Sequence, residues 1–168
     1  MKNSILSIAI FVITLTSSLQ LTAQKFKSLD KSPMDVAVFP SSYKISDKIV
    51  KVIYSRPQLK GRDLVKLAPP EKIWRTGANE ATEITFYKDV IFGGKELKAG
   101  TYSLFTIPSL DKDWTVIINS ARNVWGSYYY NQNLDVIRVS GKTSKVDENI
   151  DIFSMMFDKN MTLKMGWG

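Results

Sequence analysis

The 168-residue chain contains no histidine and no cysteine. Without histidine there is no Ser-His-Asp system, and without either residue there is no Cys-His nucleophile. The same two absences exclude the imidazole and thiolate sites that hold zinc, copper and non-haem iron. A resident metal would have to be a hard cation held by oxygens, such as calcium. Asp147, Glu148 and Asp151 stand close together but lack the alternating spacing of an EF-hand loop. A Gly-rich phosphate loop is also missing, since Gly93-Gly94 within Phe-Gly-Gly-Lys-Glu reads as a hairpin turn. No metal and no cofactor is expected. Disulfides are excluded too, so core packing and backbone ladders must hold the fold.

Long apolar runs are scarce, and the one present is N-terminal. Lys2 precedes Ile5 to Leu15, ILSIAIFVITL, and then a polar stretch leads to Leu21 and Ala23, placed as the −3 and −1 residues of a cleavage site. That is the architecture of a secretory signal peptide, too short for a bilayer core of roughly 30 Å. Residues 1–24 are therefore expected to be removed on export to the periplasm or the extracellular space. No membrane span is expected in the remainder, residues 25–168, which have the size of one domain. The formal net charge is +7; losing Lys2 with the signal peptide leaves +6. The charge is scattered, with its densest cluster at Lys60, Arg62 and Lys66. No basic tail or basic helix accompanies it, which argues against nucleic acid as a partner.

Period-two alternation dominates what is left. Strands are expected at Lys48–Tyr54, Ala81–Tyr87, Val90–Phe92, Lys95–Leu97, Gly100–Pro108, Trp114–Asn119, Asp135–Ser140, Ile150–Phe157 and Met161–Met165. No amphipathic helix is apparent. Short strands with turn signals at near-regular spacing indicate an all-β fold, a single-domain antiparallel β-sandwich or jelly roll. In GTYSLFTIP, Tyr102 and Leu104 share one face, and Phe105 and Ile107 share the other. In WTVIIN, Trp114, Val116 and Ile118 oppose Ile117. Strands apolar on both faces are buried on both, so this hairpin should be central, with Leu64–Trp74 as its cover.

The most informative stretch is Ile73 to Glu83, IWRTGANEATE. If the strand at Ile84 and Phe86 extends backwards without a bulge, Glu80 and Thr82 share its inward face while Glu83 faces the other way. An inward carboxylate needs a partner. Arg75 is the nearest arginine, and its planar fork suits a carboxylate. A structural ion pair of Glu80 with Arg75, or with Arg56, is the expectation. The functional alternative makes Glu80 a general acid with a raised pKa.

The runs DKSPMDVAVFP (30–40), KVIYSRPQLKGR (51–62), IWRTGANEATEITFYKDV (73–90), KAGTYSLFTIP (98–108), WTVIIN (114–119) and WGSYYYN (125–131) resemble the domain of unknown function 2911 family. The resemblance covers nearly all of residues 25–168. It implies a secreted protein of the kind found mainly in Bacteroidetes, and it brings no reaction, substrate or catalytic residue. Relatives as the resemblance describes them continue past Trp167 with one more strand, so a final C-terminal strand is expected to be missing here.

Two further clusters bear on function. Trp125, Tyr128, Tyr129 and Tyr130 surround a Gly-Ser pair; exposed rings on a loop suit sugar stacking, whereas covered rings would merely anchor the loop. Arg56, Lys60 and Arg62 with Arg75 suggest an anion pocket, or arginines that tie down neighbouring carboxylates. Three readings follow. The first is a non-catalytic domain binding a glycan or small anionic ligand through Arg56, Arg75, Asn79, Trp125 and Tyr128. The second is a carbohydrate-active hydrolase using Glu80, which needs a second carboxylate across a cleft. The third is a purely structural or interaction domain.

Overall fold

The computed structural model describes residues 26–168; the expected signal peptide at 1–24 lies outside the described residues. Ten strands, β1 (Met34–Phe39), β2 (Val50–Ser55), β3 (Thr82–Phe86), β4 (Val90–Phe92), β5 (Lys95–Leu97), β6 (Gly100–Ile107), β7 (Trp114–Asn119), β8 (Asp135–Gly141), β9 (Ser154–Phe157) and β10 (Leu163–Gly166), account for the architecture. One helical turn, α1 (Leu64–Leu67), follows β2, and a 3-10 turn at Gln132–Leu134 precedes β8. None of the described helices is long and apolar enough to cross a membrane.

Six strands form one antiparallel sheet in the order β1-β2-β3-β6-β7-β8, and β9-β10 and β4-β5 form separate ribbons. Each strand of the large sheet lies beside its predecessor within that sheet, a meander rather than the interleaved Greek keys of a jelly roll. The all-β, sandwich-like expectation holds. β1 was not expected. Its six residues lie between Pro33 and Pro40, and a proline-bounded run with Asp35 inside it is tolerated only at an edge, where β1 stands.

Alternation sorts the sheet into two faces. One carries Val50, Val52, Tyr54, Ile84, Phe86, Leu104, Val116, Ile118 and Ile137, packed against Phe153, Met155 and Phe157 of the ribbon side. Trp74 lies at the heart of this layer, stacked on Trp167 at 5.4 Å and edge-on to Phe153 at 5.2 Å. The terminal residues are tied in as well, through reciprocal backbone bonds between Gly168 and Ile150. The opposite face has a smaller core of Ala81, Phe105 and Ile117, covered by Ile73, Val124 and Tyr130. The β6–β7 hairpin is therefore apolar on both faces, as its alternation requires.

The cover differs from the expectation. Leu64, Ala68 and Trp74 pack on the larger layer, and the smaller face is closed by the loop between β7 and β8 together with Ile73. Trp74 and Ile73 are neighbours in an extended segment, so they point to opposite sides and serve different cores.

Candidate functional site

IWRTGANEATE is an interrupted strand. Trp74 pairs with Thr106 of β6 through reciprocal backbone bonds of 2.7 and 3.0 Å, and Thr82 of β3 pairs with Leu104 two residues further along. Between them the chain leaves the sheet for the six residues Thr76–Ala81, and the excursion closes where Thr82 N–H donates to the Arg75 carbonyl at 3.1 Å. Its base is tied by hydroxyls. Thr82 Oγ1 donates to the Thr76 carbonyl at 2.7 Å, and the Thr76 and Thr106 hydroxyls are bonded at 3.2 Å. All three threonines are buried. Thr76 (φ 56°) and Asn79 (φ 59°) adopt left-handed backbone. For a β-branched residue that conformation is strained, and such strain collects at functional turns. Gly77 is needed for close packing: a Cβ there would meet the Ser55 carbonyl at 3.0 Å.

This excursion overturns the expected pairing of Arg75 with Glu80. The ladder with β6 ends at Thr82, and Ala81 and Glu80 pair instead with the β7–β8 loop, so the core that covers Thr82, Ile84 and Phe86 does not extend over Glu80. Glu80 is exposed and makes its bridge through the backbone, opposite Trp125. No ion pair joins it to Arg75 or to Arg56. Arg56 lies elsewhere: Nη1 contacts Asp35 at 3.1 Å, Nε donates to the Phe153 carbonyl at 3.0 Å, and Nη2 donates to Ser154 Oγ at 2.7 Å. It fastens β9 to the sheet and takes no part in an anion pocket with Arg75. Arg62 is likewise occupied, by the carbonyls of Gln58 and Leu59.

Asn79, Trp125, Tyr128 and Arg75 are brought together. Ala81 N–H donates to the Val124 carbonyl at 2.8 Å, and Gly126 N–H donates to the Asn79 carbonyl at 3.0 Å. Asn123 N–H reaches Glu83 Oε1 at 3.0 Å, which occupies the second glutamate of the motif. The excursion and the β7–β8 loop are thus zipped along one edge. Gly126 (φ 65°) is the point of closest approach. A Cβ on it would lie 2.8 Å from the Tyr128 ring and 3.8 Å from Arg75 Nη1, so ring and guanidinium flank the same glycine. Arg75 Nε is buried and has no hydrogen-bond partner. Among the described residues no carboxylate forms an ion pair with the Arg75 guanidinium. The Asn79 amide donates to Asp30 at 3.1 Å; the Ser32 N–H first, and that amide second, hold the Asp30 carboxyl below its ordinary range.

The aromatic loop is clamped from below through Tyr130 by Asp135, Arg138 and Asn119, three residues that the sequence pattern did not single out. Tyr130 packs edge-on to Phe105 at 5.1 Å, and its hydroxyl donates to Asp135 Oδ2 at 2.6 Å. Arg138 donates to the same oxygen at 2.6 Å and to the Tyr130 hydroxyl. Asn119 Nδ2 donates to Asp135 Oδ1 at 2.8 Å and to the Asn131 carbonyl at 3.0 Å. Burial, and then the bond to Asp135, push the Tyr130 phenol up to about 12. The spacing Tyr130, Asp135, Arg138 was the available signal. With Tyr130 held inward, its neighbours project outward: Trp125 is 55% exposed, Tyr128 78% and Tyr129 79%. Recesses of about 270 Å³ beside Asp89 and about 510 Å³ beside Val36 and Lys51 lie away from this edge.

No group of three or more aspartates and glutamates that could hold a metal ion occurs among the described residues. The family model described as protein of unknown function, DUF2911, matches residues 33–168. Neither curated proteins nor solved structures give a match. The chain belongs to the DUF2911 family.

Proposed function

Within that family of unassigned activity, we propose that this chain is an exported, non-catalytic binding domain for a ligand bearing an anionic group. Arg75 receives the anion, and the Trp125–Tyr129 loop supplies the flat surface beside it. The observation that carries the reading is the buried, unpartnered Nε of Arg75, whose Nη1 is set against the same glycine as the Tyr128 ring. A half-buried cation without a counter-charge retains its capacity for a charge-assisted, bidentate bond. Asn79 adds an amide at the same edge, and the strained turn holds both in place before any ligand arrives. Export is the part of the proposal that rests on the sequence of residues 1–24.

The hydrolase reading finds less support. Glu83 is occupied by Asn123 N–H, Asp30 by Asn79 and Ser32, and Glu80 stands exposed. The partnered second carboxylate that glycoside hydrolysis requires has no candidate beside Glu80.

Thermal-shift measurement of residues 25–168 against acetate, citrate, galacturonate and glucose tests the proposal. A carboxylate at one hundred times its Kd should stabilise the fold by about 2.7 kcal/mol, and Arg75→Gln should abolish the shift. Equal shifts in wild type and Arg75→Gln would sink it.

A further inference from the structure

Building on that proposed site, we infer that its occupant is an acidic polysaccharide, a chain with about one carboxylate per sugar, lying across Arg75, Trp125 and the exposed tyrosines.

The first argument is shape. A small-molecule site buries roughly 70–90% of its ligand in a concavity. Here Trp125, Tyr128 and Tyr129 stand 55%, 78% and 79% exposed within five residues of one loop. Such a platform gives a monomer little enclosure, and it gives a chain successive contacts. Flat amphipathic rings accept the C–H faces of sugars, while the tyrosine hydroxyls remain free to bond to sugar hydroxyls.

Rigidity is the second argument. The loop is zipped to Asn79–Ala81 on one side and clamped through Tyr130, Asp135, Arg138 and Asn119 on the other. Exposed rings on a pinned loop lose little freedom on binding, which favours a ligand recognised by surface alone.

Charge decides the density of the polymer. Two carboxylates belong to the same region, Asp30 bonded to Asn79 and Glu80 exposed opposite Trp125. Arg122, exposed on the same loop, offers a second cation. A densely sulfated chain would set anions against both carboxylates. A uronate chain can place one carboxylate on Arg75 and pass the acidic residues with neutral hydroxyls. The net charge of +6 left after the loss of Lys2 draws such a chain in at low salt.

Isothermal titration calorimetry measures this in every variant, and in the wild type tryptophan fluorescence follows it as well, since Trp125 is exposed while Trp74 is buried. Galacturonate and oligogalacturonates of increasing length would be titrated into the protein, with neutral dextrins and heparin oligosaccharides alongside. Affinity should rise tenfold or more from monomer to tetramer. It should fall at least tenfold in Trp125→Ala and in Arg75→Gln, and partly recover in Arg75→Lys. Thermal melts of each variant establish that it is folded. Monomer binding as tight as tetramer binding would overturn the chain inference while leaving an anion site at Arg75. Equal or tighter binding of dextrins or heparin would overturn the uronate class. A Trp125→Ala variant that binds every sugar like wild type would overturn the platform, as would capture of a protein through these rings in place of a sugar. If no carboxylate binds at all, this inference and the anion-site proposal both fall.

Discussion

The Arg75 carbonyl accepts the Thr82 amide N–H at 3.1 Å, joining two residues seven apart as though the strand ran straight through. Everything between them, Thr76 to Ala81, is an insertion looped out of an interior strand position of the sheet. Trp74 and Thr82 consequently share the larger core face, while Arg75 is turned towards the opposite side, over the end of the β7–β8 loop.

The hydroxyl base of that excursion should be costly to remove. In Thr82→Val the Thr76 carbonyl, buried beneath the loop, loses its short bond from Oγ1. A loss of about 1–3 kcal/mol is expected, read in a thermal melt as about 2–4 °C per kcal/mol for a domain of this size. An unchanged melting temperature would show that the loop base does not hold the excursion.

Arg75 and Glu80 should behave independently. With no ion pair between them, Glu80→Gln should change stability by less than about 0.5 kcal/mol, as at other exposed sites. The double-mutant coupling with Arg75→Gln should be within about 0.5 kcal/mol of zero. Chemical denaturation of the four proteins measures this. A coupling of 1–3 kcal/mol would restore the pair that strand parity suggested.

Arg56 has the opposite status. It bonds to Phe153 and Ser154 on the ribbon side and meets a half-exposed Asp35. Arg56→Ala should cost about 1–3 kcal/mol, mostly through the bonds to the ribbon side and little through the ion pair. Amide exchange of Ser154–Phe157 should accelerate in the variant. Ligand binding at Arg75 should be untouched.

The alternation of Tyr102–Ile107 and Trp114–Ile118 made the two-faced hairpin legible, because period two depends only on local backbone geometry. The inward side of Thr82, Ile84 and Phe86 was legible for the same reason. Alternation failed at Glu80 because it does not say where a ladder ends: β6 pairs only as far as Thr82, and Glu80 passes to Trp125 of the β7–β8 loop. The partners of Arg56 lie 97 and 98 residues away, and only tertiary structure joins them. Grouping Arg75, Asn79, Trp125 and Tyr128 was possible by residue type; excluding Arg56 was not. β1 stayed hidden because its prolines and Asp35 resemble a loop.

The clamp beneath the aromatic loop gives a pH dependence of definite sign. Burial and the bond to Asp135 raise the Tyr130 phenol from 10.0 to about 12. Below pH 10 the phenol is protonated in both the folded and the unfolded chain, and its contribution is fully present. As pH rises further the unfolded chain releases its proton first, so stability falls until the folded phenol has titrated near 12. Burial raises Tyr54 in the same direction, so the test is the difference between wild type and Tyr130→Phe. The variant should be less stable at neutral pH and show a shallower alkaline decline. Parallel declines would contradict the clamp.

The Nε–H of Arg75 is the most direct witness to the proposed site, because it is buried and unpartnered. A proton–nitrogen NMR titration with tetragalacturonate, the Nε–H signal assigned by its disappearance in Arg75→Lys, follows that group. The account predicts that this resonance and the Trp125 indole N–H shift together and saturate at the same ligand concentration. Saturable binding that leaves both signals in place would contradict it.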